Sequence, residues 1–287
     1  ICCTLVLKAL ISEEFIMFLR INHKTKYRYE KPFQSLTQSI KLFPTKLKGV
    51  KILSWKVSVK NAYIGEKVIE SNGDQTIVAH TSKNNKSSEI IVTGQVQTSD
   101  NNGIILGHKE KINPLVYLRE TDLTKSDSGI KKFVSKLLTK NKKKNKLSFA
   151  HSLNSAIFDH IEYSSGTSEI STPATNIFNS RKGVCQDFAH LMISSSIYAG
   201  IPARYVVGYL LPTDIDTQAT HAWVELFFND IGWIAFDPSN NSCTNDRYLR
   251  LCSGPDSISA APIKGVAIGS SDEKLDVKVS VQQIPQQ

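Results

Sequence analysis

One helical run decides much of what this chain can become. From Cys185 to Ala199, Phe188, Leu191, Met192, Ser195 and Ala199 share one face, while Ala189, Ile193 and Ile197 make a second apolar stripe. A helix covered with apolar groups nearly all round has to be wrapped by other elements of the same protein. Gly200 ends it and Pro202 prevents its continuation. Three strand-like runs follow, ARYVVGYLL at 203–211, HAWVELFF at 221–228 and GWIAFD at 232–237. A buried helix packed on an antiparallel sheet is an α+β arrangement.

Upstream the pattern divides. Between Phe18 and about Leu106 stand short β-prone runs, LRINHKTKYRY, ILSWKVSVK, AYIGEKVIE, QTIVAH and EIIVTGQVQ, separated by turn residues. Their two-residue alternation predicts an antiparallel β domain. After Pro114 the spacing changes to three and four. It predicts helices over SGIKKFVSKLLTK at 128–140 and LSFAHSLNSAIFDHIEY at 147–163, with Ser148 as the cap of the second, and a short helix opened by Thr172 and Pro173. The expected organisation is an N-terminal β domain over 17–113, a connecting segment over 114–146, and an α+β core with C-terminal strands over 147–287. Residues 1–16 read as an upstream extension outside the fold, with Met17 as the start.

The formal net charge is +9, which invites a polyanionic partner until the charge is located. Nine lysines and one acidic residue between Lys125 and Lys146 supply +8 of it. The central run KNKKKNKL has no aromatic residue on which a base would stack. A solvated helix end is expected there, with no specific nucleic acid as partner. The apolar run Thr4 to Ile11 is short and is followed by Glu13 and Glu14, so no membrane span is expected. Cysteines at 2, 3, 185, 243 and 252 form neither an even framework nor a CxxC pair, which suits a reducing, cytoplasmic location.

Cys185 raises the question of chemistry. It stands after Gly183 and Val184 at the first turn of the buried helix, where unpaired N–H groups favour negative charge, and a thiol reacts as its thiolate. Position alone also fits an inert buried cysteine. The downstream hairpin separates the readings. With Asn229, Asp230 and Ile231 as a three-residue loop, Phe228 faces Gly232 and His221 falls opposite Ser239, diagonal to Asp237 and on the same face. Diagonal neighbours are within reach of a hydrogen bond. A four-residue loop without a bulge would send the two side chains to opposite faces. In the first register Asp237 orients His221, His221 serves the thiol of Cys185, and an acyl carbon is the target.

The motifs GVCQDFAHLM, GIPARYVVGYL, THAWVELFF and GWIAFDPSN resemble the successive signatures of the transglutaminase-like superfamily, particularly its bacterial members described as cysteine proteases. MFLRINHKTKYRYEKP resembles the start of their N-terminal β domain, and PLVYLRETDLT their connecting segment. The resemblance implies a papain-like core whose Cys, His, Asp triad falls on Cys185, His221 and Asp237. It departs after the triad, where GPDSISAAP has Pro255 and Ser257 in place of the usual Arg and aromatic, so substrate preference does not carry over.

An oxyanion needs donors about 3 Å away. The Cys185 amide is the first expected, with Tyr163 or the Gln186 side chain as the second. Trp223 and Trp233 flank the triad on one strand face, which suits an acyl-binding cleft or plain core packing. Cys185 and His190 are five apart on a helix and cannot share a metal, so no metal and no organic cofactor is expected. The expected function is a thiol enzyme acting on a peptide or protein substrate through a thioester, with hydrolysis preferred because an amine acceptor has to outcompete ~55 M water. Transamidation to an amine and a noncatalytic peptide-binding scaffold are the alternatives.

Overall fold

The computed structural model describes residues 16–141, 145–213, 220–270 and 272–285, without the side chains of 83 and 84. Cys2, Cys3 and the expected extension up to residue 15 lie outside the described residues.

The N-terminal domain contains β1 (Ile16–Ile40), β2 (Val50–Val59), β3 (Tyr63–Ile64), β4 (Val68–Ile69) and β5 (Gln75–Ser99). Alternation in β1 puts Leu19, Ile21, His23, Thr25, Tyr27 and Tyr29 on the buried face and charged residues on the other. ILSWKVSVK forms β2 as expected, whereas QTIVAH and EIIVTGQVQ are parts of one long strand, β5, which pairs antiparallel with the equally long β1. Register shifts between Arg28 and Ser35 bend the pair, and the pairing with β5 is interrupted across Glu30-Lys31-Pro32 before it resumes at Phe33. Only two dipeptides of the AYIGEKVIE run pair with β5.

The core follows with α1 (Ser128–Lys140), α2 (Lys146–His160), β6 (Glu162–Tyr163), α3 (Ala174–Ser180), β7 (Lys182–Gly183), α4 (Cys185–Tyr198), β8 (Ala203–Leu210), β9 (His221–Phe228), β10 (Gly232–Asp237), β11 (Ser242–Cys243) and β12 (Tyr248–Gly254). The second sheet has the order β11-β10-β9-β8-β12 and is antiparallel throughout. α4 lies between this sheet, against β8 and β9, and the helices α1, α2 and α3. That sandwich accounts for its apolar character all round, since every residue from Asp187 to Ser196 is buried. Each fully buried Leu, Ile, Met or Phe there contributes roughly 1.5–3 kcal/mol. α2 is capped by Asn145, whose Oδ1 accepts the Ser148 N–H at 2.8 Å. Ser148 is therefore inside the helix, because the asparagine three residues earlier already satisfies its amide.

The last two strands, β13 (Ile263–Ile268) and β14 (Glu273–Gln283), both pair with β1. Although the sequence grouped 147–287 together, the chain leaves the core after β12 and completes the N-terminal sheet. Nothing local distinguishes a strand that pairs nearby from one that pairs with residues far upstream.

A buried ionic network joins the two sheets. Arg250 on β12 bonds Glu225 at 2.8 Å and reaches Asp74 at 3.4 Å, while Arg204 bonds Glu225 at 2.6 Å and also pairs with Glu110. Burial would raise the Glu225 carboxyl, yet Arg250 and Arg204 hold it down at about 2. The lysines of α1 are exposed, and none of the described helices is long and apolar enough to cross a membrane.

Candidate active site

Cys185 is the first residue of α4, behind Val184, and it is partly exposed. The turn entering the helix is fastened by Asp187, whose carboxylate accepts the Val184 N–H at 2.8 Å and the Ser168 hydroxyl. A Cβ on Gly183 would sit 2.7 Å from the Asp187 side chain, so glycine is required for this close approach. The first N–H groups of a helix have no partner within it, and they converge beside the sulfur.

The β9–β10 hairpin has the register that a three-residue loop requires. Phe228 pairs with Gly232, Phe227 with Trp233 and Val224 with Phe236, and Gly232 takes φ +96°, a conformation suited to glycine. Carrying that register outward brings His221 to Asp237, and the imidazole Nε2 lies 2.6 Å from Asp237 Oδ2. The other ring nitrogen is left for the thiol. Burial would lower the His221 pKa, but hydrogen bonds with Asp237 and Cys185, together with their negative charge, raise it to about 10. The imidazolium is thus the resting form near neutral pH.

Asp237 is fully buried and heavily bonded. Its Oδ1 accepts the Ser239 N–H at 3.0 Å, the Ser239 hydroxyl at 2.7 Å and the Asn240 N–H at 3.2 Å. Its Oδ2 accepts Asn240 Nδ2 at 2.7 Å and the Tyr248 hydroxyl at 2.9 Å. Burial pushes the carboxyl up, and the bonds from His221, Ser239 and Asn240 with the imidazolium charge outweigh it, leaving it below its ordinary value.

His221 and Asp237 are thus brought together by the hairpin register. Residues 132–238 match the Transglutaminase-like superfamily core, and residues 19–97 match the Bacterial transglutaminase-like N-terminal region. The chain belongs to the transglutaminase-like superfamily. An uncharacterised protein of Mycobacterium bovis is 34% identical over 145 residues, 46% of this chain and 46% of that protein. The match therefore spans about half the length of that relative. A protein-glutamine gamma-glutamyltransferase of Pseudomonas aeruginosa is 36% identical over 74 residues, 22% of this chain and 11% of that protein. A crystal structure named "putative cysteine protease" from Cytophaga hutchinsonii superposes with a TM-score of 0.74, covering 95% of this chain and 92% of that one at 20% identity. At that identity the likeness establishes the fold: a transglutaminase-like α+β core beside an antiparallel β domain.

In this transglutaminase-like core the remaining sequence-derived candidates separate. Tyr163 lies beside Cys185. Burial and the negative charges of Cys185 and Asp237 raise its phenol, while a hydrogen bond from the Cys185 backbone amide opposes them. Gln186 also borders the cleft, but its Nε2 donates to the Ile170 carbonyl at 3.3 Å. Trp223 does not border the cleft. It is buried with Val206 and Ala235, and its ring stacks near that of His221 at 6.3 Å between centroids. Trp233 packs on Phe227 and Tyr117 and under the Arg204 guanidinium. Both indoles share the strand face of the triad, but that face is covered by the N-terminal domain and connecting segment beyond the cleft mouth. Among the described residues, no group of His, Cys, Asp and Glu is arranged to hold a metal ion.

The cleft has a volume of about 1020 Å³ and is shared between the core and the N-terminal sheet. Cys185, His221 and Tyr163 line it from the core, and Thr25, Tyr27 and Val277 line it from the N-terminal sheet. Ser257 and Ala261, from the segment where the chain departs from the family pattern, also border it. Sequence reasoning missed Asn240 and Tyr248 as partners of Asp237. The run DPSNN carried a signal for the first, since an Asp accepting amides two and three residues on is a common turn. Tyr248 had none, because it arrives from a strand on the far side of the sheet.

Proposed function

We propose that this protein is a thiol enzyme that takes the acyl group of a peptide or glutamine-type amide onto Cys185, with His221 as acid and base and Asp237 as orienter. The observation that carries the reading is the 2.6 Å contact between His221 and Asp237 on one side of an imidazole whose other side engages the Cys185 thiol. The Cys185 sulfur bonds to the amide carbon, and the oxyanion takes over the Cys185 N–H from the Tyr163 phenol, whose hydroxyl then turns to it as second donor. The His221 imidazolium gives its proton to the departing nitrogen as the C–N bond breaks, which leaves a thioester. His221 then takes a proton from water, whose oxygen replaces sulfur at the carbon, and the ion pair is restored.

Hydrolysis is the preferred outcome, since no acceptor site for an amine has been identified and water is abundant. The similarity to the Pseudomonas glutamyltransferase over 74 residues favours transamidation as the second reading. A peptide-binding scaffold would have no use for the charged pair.

The test is alkylation by iodoacetamide across pH, followed by mass spectrometry of the protein after exposure to glutamine peptides. Cys185 should react faster than a free thiol at neutral pH, His221→Ala should remove the advantage, and the wild type should show a mass increase equal to the acyl group. Equal rates in the two proteins, with no acyl adduct, would refute the enzyme reading. Ammonia release, peptide cleavage and amine incorporation then name the acceptor, with Cys185→Ala as control.

A further inference from the structure

The N-terminal domain contributes more than support. Thr25 pairs with Val277 and Tyr27 with Leu275 across β1 and β14, so the four side chains form a ladder on one sheet face. All four border the same cleft as Cys185 and His221. Thr25 and Tyr27 are buried, but Leu275 is 56% and Val277 37% exposed. Two apolar side chains thus remain uncovered on the part of the cleft that the N-terminal sheet supplies, where a β14 serving only to complete the sheet gains nothing from them.

Arg247 stands on the core side of the same cleft. Its Nε donates to the Leu211 carbonyl at 3.1 Å, and its Nη2 donates to the same oxygen. The guanidinium is therefore held in place, with Nη1 lacking a hydrogen-bond partner among the described residues. Arg247 is the one lysine or arginine bordering the cleft among those residues, and no aspartate or glutamate borders it there. A fixed fork of donors with one nitrogen still unpaired among the described residues is suited to a carboxylate, although the neighbouring Asp246 shares its charge. The volume of about 1020 Å³ also exceeds what a single glutamine side chain occupies and suits several residues of extended chain.

The geometry points to a polypeptide acyl donor with apolar residues flanking the reactive amide and a carboxylate nearby, the apolar groups seated on Leu275 and Val277 and the carboxylate on Arg247. The inference rests on the proposed nucleophile for where the reactive amide lies. Docking itself is measurable without chemistry.

The experiment uses the full chain with Cys185→Ala and fluorescent peptides with a central glutamine, flanking leucines, and either a glutamate or a lysine beyond them. Anisotropy should show the glutamate peptide binding about tenfold more tightly than the lysine peptide, a preference set by one charged contact. Val277→Asp should weaken the glutamate peptide by about tenfold or more, because a carboxylate would then meet the leucines. Arg247→Gln should bring the two peptides to equal affinity. Val266→Asp, at a 69% exposed position on β13 outside the cleft, should bind as the parent does and controls for a charge placed on the same sheet. Circular dichroism confirms that each variant is folded. A folded Val277→Asp that binds undiminished, or a parent that prefers lysine, overturns the proposal. Peptide binding without any acyl adduct in the wild type would sink the nucleophile and leave docking standing; an adduct from a small glutamine donor without peptide binding would do the reverse.

Discussion

His190, in the middle of α4, is fully buried and His221, at its mouth, is mostly so, yet their pKa values move in opposite directions. Burial lowers the His190 pKa to about 4, with Asp256 opposing only in part, and its Nε2 accepts the Ser257 N–H at 3.1 Å. Burial acts on His221 in the same direction, and there Asp237 and Cys185 reverse it to about 10. Depth in the protein therefore does not decide whether an imidazole is charged. A carboxylate in direct contact does, because its attraction inside a poorly polarisable interior exceeds the lost hydration. The neutral one serves packing, and the charged one faces a thiol.

The largest effect is expected on removing the carboxylate that separates the two cases. Asp237→Asn should reduce turnover by about 10³–10⁴ as the imidazole loses its orientation and charge support. Steady-state rates on a glutamine peptide check this, and a loss below tenfold would place the orienting role elsewhere.

The same substitution should change how stability depends on pH. The folded His221 value lies above the ordinary 6.5, so its contribution is complete below 6.5 and is lost as pH rises from there through about 10. For His190 the folded value lies below 6.5, so stability is lost as pH falls from 6.5 towards 4. Urea unfolding of Asp237→Asn should therefore show the alkaline slope flattened, while the loss between 6.5 and 4 that belongs to His190 remains. His190→Gln should show the converse.

A smaller effect concerns what supports the histidine from behind. A Cβ on Gly208 would lie 2.2 Å from the Leu249 carbonyl and 2.4 Å from the Trp223 ring. Gly208→Ala should cost about 1–3 kcal/mol through strand displacement, read from the urea midpoint, and should lower turnover as Trp223 shifts against His221. Wild-type stability with wild-type turnover would show that the ring contact positions nothing.

Tyr248→Phe is the mildest change. It removes one of the hydrogen bonds to Asp237 and should cost about 1 kcal/mol. A modest fall in rate is expected alongside, since Ser239 and Asn240 still hold the carboxylate.

Much of this site could be read from the chain because its parts are local. The α4 stripes, the Gly200 stop and the three-residue hairpin loop are each short-range features, and strand alternation carries the register from Phe228 and Gly232 outward to His221 and Asp237. The same reasoning left the indoles between cleft and core, and both are buried. Alternation puts Trp223 and Trp233 on the triad face correctly, but which part of that face is open depends on what the other domain covers.

By itself, then, the sequence determined a buried helix with a cysteine at its mouth, an antiparallel sheet beside it, and a hairpin that brings one histidine to one aspartate. These follow from steric periods and turn lengths that act within a few residues. The tertiary structure alone decided that β13 and β14 return to β1, that Leu275 and Val277 line the cleft that holds Cys185, and that Tyr248 supports Asp237. Such pairings join residues far apart in the chain, and the free energy that selects among them comes from burial of whole surfaces, which leaves no mark in any short stretch.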